Sequence, residues 1–245
     1  MILETRGLSK SYGGVQALRN VSLAVSAGEL VALIGPNGAG KTTCFNLLNG
    51  QIAPDAGVIL FEGRPLAGLA PRRRWRLGIA RTFQVAAAFG SMSARENVQV
   101  ALLSRERRTF SFLSSARCFR RGEADRLLER VGMSGQAAKP CASLAYGDLK
   151  RVELALALAS RPRLLLMDEP AAGMAAEERT ALMQLAAGLA RAEGLAVLFT
   201  EHDMDVVFGF AGRVIVLHGG EVIASGTPAE VRADSRVREV YLGDA

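Results

Sequence analysis

Short apolar runs, bounded by turn residues, divide the chain into strands and helices. Residues 2–8 and 18–25 alternate or run apolar between Gly and Asn/Ser turns, which predicts two short antiparallel strands. Residues 30–34 are apolar throughout, the pattern of a strand buried on both faces. Residues 57–61 and 78–83 are further β-like runs, the second lying after an arginine-rich segment. From about residue 93 to 159 the period changes. Residues 94–103, 123–131 and 149–159 carry helical spacing, with Leu127, Leu128 and Val131 on one face. Beyond this insert, residues 163–167, 195–199 and 213–217 are again short apolar runs, and helical patterns at 176–191 and 204–210 lie between them. Buried strands alternating with helices predict an α/β fold built on a parallel sheet, with a β-rich opening and a helical insert. The segment 105–121 sets Phe110, Phe112, Leu113 and Phe119 among Ser and Arg. It fits either a local helix packed on the insert, which is the expectation taken, or a partner-facing surface.

The most specific chemistry follows the buried strand 30–34. There Gly35-Pro36-Asn37-Gly38-Ala39-Gly40-Lys41-Thr42-Thr43 has the form G-x-x-x-x-G-K-T and runs into Cys44-Phe45-Asn46-Leu47-Leu48. Glycines let consecutive backbone N–H groups turn inward as an anion-binding nest, and the following helix aims its positive dipole end at the same place. A nucleotide triphosphate fits that concavity. Lys41 can reach the β- and γ-phosphates, and the Thr42 hydroxyl is placed to ligate Mg²⁺. Later, Leu164-Leu165-Leu166-Met167-Asp168-Glu169 is an apolar strand ending in two carboxylates. A parallel sheet presents such a strand end beside the phosphate loop. Asp168 is expected to hold Mg²⁺ through water, and Glu169 to sit closer to the γ-phosphate, where a water must be polarised.

Composition narrows the remaining classes. The 245 residues are 49% hydrophobic, enough for a sizeable core and against disorder. The net charge of +6 suggests acidic partners. Its densest part is Arg72-Arg73-Arg74 with Arg76, expected to form a solvated basic face rather than a nucleic-acid or anionic-lipid site. Cys44, Cys118 and Cys141 are odd in number and widely spaced, which points to neither a disulfide framework nor a zinc site and fits a reducing cytoplasm. Neither a signal pattern at the N-terminus nor an apolar run near the ~18 residues of a spanning helix is seen, so membrane association is expected through a partner.

Between the two nucleotide motifs lies Leu144-Ala145-Tyr146-Gly147-Asp148-Leu149-Lys150-Arg151, placed where ATP-binding cassette transporter ATPases carry the signature L-S-x-G-Q. With these motifs in order, the chain resembles the ATP-binding subunit of such a transporter over essentially its whole length. The resemblance implies a P-loop ATPase fold: a RecA-like parallel-sheet core, an N-terminal antiparallel β subdomain, and an α-helical subdomain inserted at about 86–160. The chain is then one nucleotide-binding domain over 1–245. In that family the signature of one subunit closes over the ATP held by the other subunit's phosphate loop. Ala145 and Gly147 would therefore face a partner's nucleotide, and a side chain at 147 would hold the two surfaces apart. By the same resemblance Tyr12 stacks on adenine. Gln84, in Arg81-Thr82-Phe83-Gln84, touches Mg²⁺ and water and links nucleotide to transporter. His202, in Thr200-Glu201-His202-Asp203, contacts the γ-phosphate and orients the attacking water, with Glu169 as the base.

Two departures from the family pattern stand out. Asp148 replaces the usual signature Gln and Ala145 the usual Ser, so this signature is expected to serve its ATP site less well. Met174-Ala175 replaces the usual Leu-Asn or Leu-Asp in the loop that contacts the opposite subunit. The signature, the Arg81–Gln84 motif, Glu169-Pro170-Ala171-Ala172-Gly173 and the tail from Gly226-Thr227-Pro228 to Ala245 resemble the larger ATPase of bacterial branched-chain amino acid importers. This implies two permease subunits, a second ATPase subunit (a paralogue or a second copy) and, indirectly, a periplasmic solute-binding protein. It also implies a place on the cytoplasmic face of the inner membrane, with ATP and Mg²⁺ as ligands and no nucleic acid. The solute stays open among branched-chain and related hydrophobic amino acids, amides and urea. Three other readings stand beside it: a lipopolysaccharide export ATPase, a soluble cassette ATPase acting on nucleic acid or ribosomes, and a P-loop kinase. The last is disfavoured by Gly147 in its signature.

Overall fold

The computed structural model describes residues 1–82, 88–106 and 119–242. The chain opens as a hairpin of strands β1 (Leu3–Tyr12) and β2 (Val15–Val25), longer than the pattern predicts because pairing continues to the Gly13-Gly14 turn. With β4 (Ala56–Phe61) and β5 (Arg64–Pro65) they form an antiparallel sheet in the order β2-β1-β4-β5.

The second sheet is the centre of the molecule. Its strands are β3 (Leu30–Ile34), β6 (Ile79–Thr82), β7 (Leu164–Asp168), β8 (Ala196–Thr200), β9 (Arg213–His218) and β10 (Glu221–Gly226), in the order β10-β9-β3-β8-β7-β6. The pairs from β9 to β6 are parallel and β10 joins antiparallel at the edge. Period-two alternation sends Val31, Leu33, Leu166, Leu198 and Ile215 to one face and Ala32, Ile34, Met167, Val197 and Phe199 to the other. Both faces are covered, which is why these strands read as unbroken apolar runs.

On one face lie the antiparallel sheet and α1 (Lys41–Asn49), whose Phe45, Leu47 and Leu48 are fully buried. The other face receives α3 (Ala94–Arg105), α4 (Arg121–Arg130), α5 (Tyr146–Leu158) and α6 (Ala176–Glu193). The remaining helices are α2 (Pro71–Leu77), α7 (Met204–Phe210), α8 (Pro228–Ala233) and α9 (Ser235–Leu242). Helix α5 starts three residues before the predicted 149, at the signature itself.

The expected solvated basic face needs correction. Arg72 and Arg73 are exposed, but Arg74 is buried, because α2 turns it inward under the end of α1. Its guanidinium donates to Leu47 O (2.7 Å), Leu48 O (3.0 Å), Leu66 O (3.0 Å) and Leu69 O (2.9 Å). The last carbonyls of a helix lack intrahelical partners, and Arg74 supplies donors to them. Burial holds its pKa below the ordinary arginine value. Met174, read as a departure at a dimer contact, is likewise buried in the core, next to α6. The expected helix within 105–121 lies mostly outside the described residues, as does Cys118. Phe119, at its end, is buried, and its carbonyl accepts from Gln99 Nε2 at 2.6 Å. Among the described residues no helix is long and apolar enough to cross a membrane.

Candidate nucleotide site

The loop 35–40 leaves the buried end of β3 and enters α1 without a side-chain cap. Space is tight at two of its glycines. A Cβ on Gly35 would lie 2.3 Å from Leu217 O, and one on Gly40 would lie 2.5 Å from Ala17 O, with φ at 102° besides. Strands β9 and β2 thus press the loop into its curve, and only glycine fits there. Pro36, Asn37 and Gly38 reach solvent, Ala39 is buried, and its N–H donates to Pro36 O at 3.1 Å. Thr42 is exposed at the loop's mouth and Thr43 half-buried behind it. Lys41 is 8% exposed, and its ammonium donates to Gly35 O (2.6 Å) and Pro36 O (3.1 Å). Burial holds this lysine below its ordinary pKa, against the opposing pull of the Glu169 and Asp168 charges.

Asp168 is the last residue of β7. Its Oδ1 accepts from the Thr200 hydroxyl (2.8 Å), its register partner on β8, and its Oδ2 from the Arg81 guanidinium (2.7 Å). Each carboxylate oxygen keeps a further lone pair. Glu169 follows with φ 47°, a left-handed conformation costing a non-glycine residue about 1–2 kcal/mol. Its N–H is held by the Thr200 hydroxyl (3.1 Å) and Thr200 O (3.2 Å). The turn re-aims the side chain, and His202 Nε2 donates to Glu169 Oε1 at 2.8 Å. Lys41, Asp168, Glu169 and His202 are therefore gathered at the C-terminal ends of β3, β7 and β8. The oxygens of Asp168 and Thr42 are hard donors suited to Mg²⁺. Among the described residues no cluster of three or more His, Cys, Asp or Glu could hold a metal ion.

Three predicted site residues stand on other elements. Tyr12 sits at the exposed hairpin end, its ring 5.7 Å from the Lys10 ammonium. Ala145 and Gly147 stand at the start of α5, which packs against α3, α4, α6 and β6. Gly147 is buried by its own chain: a Cβ there would meet Glu178 Oε1 of α6 at 2.8 Å, so its first neighbour is internal. Asp148, in the first turn of α5, lies where the helix dipole favours a carboxylate. Gln84 lies outside the described residues.

The sequence reasoning missed Thr200, Arg81 and Glu201. Thr200 becomes a partner of Asp168 only through strand register. Glu201 is visible as a carboxylate directly after the strand Ala196–Thr200. It is 5% exposed, and accepts from Ala171 N–H (2.9 Å) and His202 N–H (3.3 Å), tying the loop after Glu169 to the His202 turn. Burial, with Glu169's charge adding to it, pushes its pKa up despite those two N–H donors. Beyond β6 lies a groove of about 440 Å³, walled by Trp75, Phe89, Val100, Ala101 and Leu156 with Arg81 in its lining.

Comparison with known proteins gives this geometry its context. A family model described as "ABC transporter" matches residues 18–172, and one described as "Branched-chain amino acid ATP-binding cassette transporter" matches residues 221–245. The high-affinity branched-chain amino acid transport ATP-binding protein LivG of Salmonella typhimurium is 40% identical over 100% of this chain and 98% of its own. BraF of Pseudomonas aeruginosa, of the same description, is 38% identical with the same coverage. The lipopolysaccharide export system ATP-binding protein LptB of Acidithiobacillus ferridurans is 37% identical over 99% of this chain and 97% of its own. The crystal structure of the ADP conformation of MJ1267, an ATP-binding cassette of an ABC transporter, superposes with a TM-score of 0.88 at 29% identity, covering 99% of each chain. The chain belongs to the ATP-binding proteins of the ABC transporter family.

Proposed function

We propose that this protein is the ATP-hydrolysing subunit of a membrane importer of branched-chain amino acids, or of a related hydrophobic amino acid, amide or urea. The observation that carries the reading is the convergence of Lys41, Asp168, Glu169 and His202 at the C-terminal ends of neighbouring strands beside a glycine-rich phosphate loop. Its support is the likeness to LivG and BraF over the whole chain and the match of residues 221–245 to the branched-chain model.

In this reading the chain is one nucleotide-binding domain, with a helical subdomain at about 86–160. The N–H groups of 35–43 bind the phosphates, and Lys41 exchanges its bonds to Gly35 O and Pro36 O for the β- and γ-phosphate oxygens. Thr42, Asp168 and Gln84 would hold Mg²⁺, which would supply charge neutralisation for the transferring phosphoryl group. Glu169 accepts the proton of the attacking water, and His202, already on Glu169, orients that water against the γ-phosphate. Tyr12 stacks on adenine. Ala145 and Gly147 serve the nucleotide of a second ATPase subunit, a paralogue or a second copy. The groove beside β6 receives a short apolar segment of a permease subunit, two of which hold the protein on the cytoplasmic face of the inner membrane. A periplasmic solute-binding protein delivers the solute, and nucleic acid has no part.

The test is uptake of radiolabelled leucine, valine and urea by vesicles containing the assembled transporter, with internal ATP. ATP-dependent uptake of one of them, abolished by Lys41→Ala, is expected. ATP turnover without uptake of any amino acid, amide or urea refutes the import reading. If lipopolysaccharide release is then ATP-driven, the export reading favoured by the LptB likeness replaces it.

A further inference from the structure

The groove and the nucleotide site share one residue. Arg81 lies on β6, three positions before Gln84, and its side chain, 8% exposed, lines the groove beside Thr82 and Trp75. Its guanidinium fans out behind them. One nitrogen donates to Asp168 Oδ2 (2.7 Å), and another to Asn46 Oδ1 (2.7 Å) and Gln51 Oε1 (3.2 Å). The guanidinium carbon also lies 5.7 Å from the centre of the Phe45 ring. Asn46 and Phe45 belong to α1, the helix that begins with Lys41 and Thr42. One planar group therefore spans the groove wall, the carboxylate at the end of β7, and the body of the phosphate-binding helix. A guanidinium can make these bonds together because its donors are fixed in a fork, whereas a lysine ammonium is a point charge.

The geometry points to Arg81 as a positioning residue that ties occupancy of the groove to the register between Asp168 and α1. This rests on the nucleotide-site reading above. Whatever presses on the β6 wall moves the anchor of Asp168, and whatever Asp168 and α1 bind fixes the wall in return. Such coupling is reciprocal in free energy, so it can be measured from the nucleotide side without a permease. Coupling need not depend on Gln84 alone, because Arg81 offers a second connection through side chains already bonded to the site.

The experiment is amide hydrogen exchange on the full-length protein, with and without Mg²⁺ and a non-hydrolysable ATP analogue, reading the groove segments 97–104 and 153–157. In the parent, nucleotide should slow these amides at least about fivefold, the low end of ordinary coupling factors. Arg81→Met should still bind the analogue, measured by equilibrium dialysis, but lose most of that protection. Asn46→Ala leaves the bond to Asp168 and removes the hydrogen bond to α1, leaving only the Phe45 ring contact there. It should lose the protection too, and it decides the matter should Arg81→Met fail to fold. Arg81→Lys should restore charge beside Asp168 without restoring the protection. Full protection in Arg81→Met or Asn46→Ala, or none in a parent that binds the analogue, overturns the role of Arg81. Failure of the parent to bind the analogue overturns the nucleotide reading itself.

Discussion

Replacing Arg74 by methionine tests how the end of α1 is held. The substitution keeps an apolar stem and deletes a guanidinium that donates to four backbone carbonyls. Two of these keep a second donor: Leu47 O has Gly50 N–H at 3.1 Å, and Leu66 O has Leu69 N–H at 3.2 Å. Leu48 O and Leu69 O lose the Arg74 donor; leaving a buried acceptor unsatisfied costs about 1–3 kcal/mol, in full at Leu48 and only in part at half-buried Leu69, which water can reach. Against this stands the desolvation of the guanidinium, expressed in its lowered pKa, which the variant no longer carries. The balance is a destabilisation of about 3 kcal/mol. For a chain of this length that is roughly 6–12 °C in Tm. Differential scanning calorimetry should find this for Arg74→Met, while Arg72→Met and Arg73→Met, at exposed positions, stay within about 0.5 kcal/mol of the parent. Equal and small effects at all three positions would refute the capping role and restore the picture of a uniform solvated basic face.

Two further outcomes follow from the site. Gly147→Ala introduces a Cβ 2.8 Å from the tip of Glu178, an exposed and flexible side chain, so its Tm should stay within a few degrees of the parent. If ATP turnover nonetheless collapses and Glu178→Ala does not rescue it, the glycine serves a partner's nucleotide; rescue would mean that it serves only its own chain. Glu201 is an acid whose folded pKa is raised above its ordinary value of 4.5, so its stabilising contribution is complete below that value and is lost as pH rises through the folded one. Urea midpoints should fall more between about pH 5 and about pH 8 for the parent than for Glu201→Gln. An identical fall in both would contradict the burial argument.

Much of this was legible in the chain because the physics was local. Buried parallel strands must be apolar on both faces, so β3, β7, β8 and β9 announce themselves within a residue or two. The phosphate loop is equally plain, since Gly35 and Gly40 answer to close contacts that no other residue tolerates. Strand β10, half-buried at a sheet edge, carries no such run. Helix α2 was hidden by its arginines, although Pro71 in its first turn and Gly78 beyond its end punctuate it. Periodicity could not single out Arg74 among its neighbours, since only the rotation of α2 against α1 decides which arginine turns inward. The same holds for Arg81, Thr200 and Glu201. Their roles arise where strands meet in register, and register is not written in any one segment.

The most direct measurement concerns Glu169. Glu169→Gln keeps the size of the side chain and an oxygen facing His202, but removes the base at the turn after β7. Equilibrium dialysis should find ATP bound as tightly as by the parent, with phosphate release in the assembled transporter reduced by about 10²–10⁴, the range of general-base catalysis. Phosphate release near the parent rate would contradict the assignment of Glu169 as the base that makes this site an ATPase.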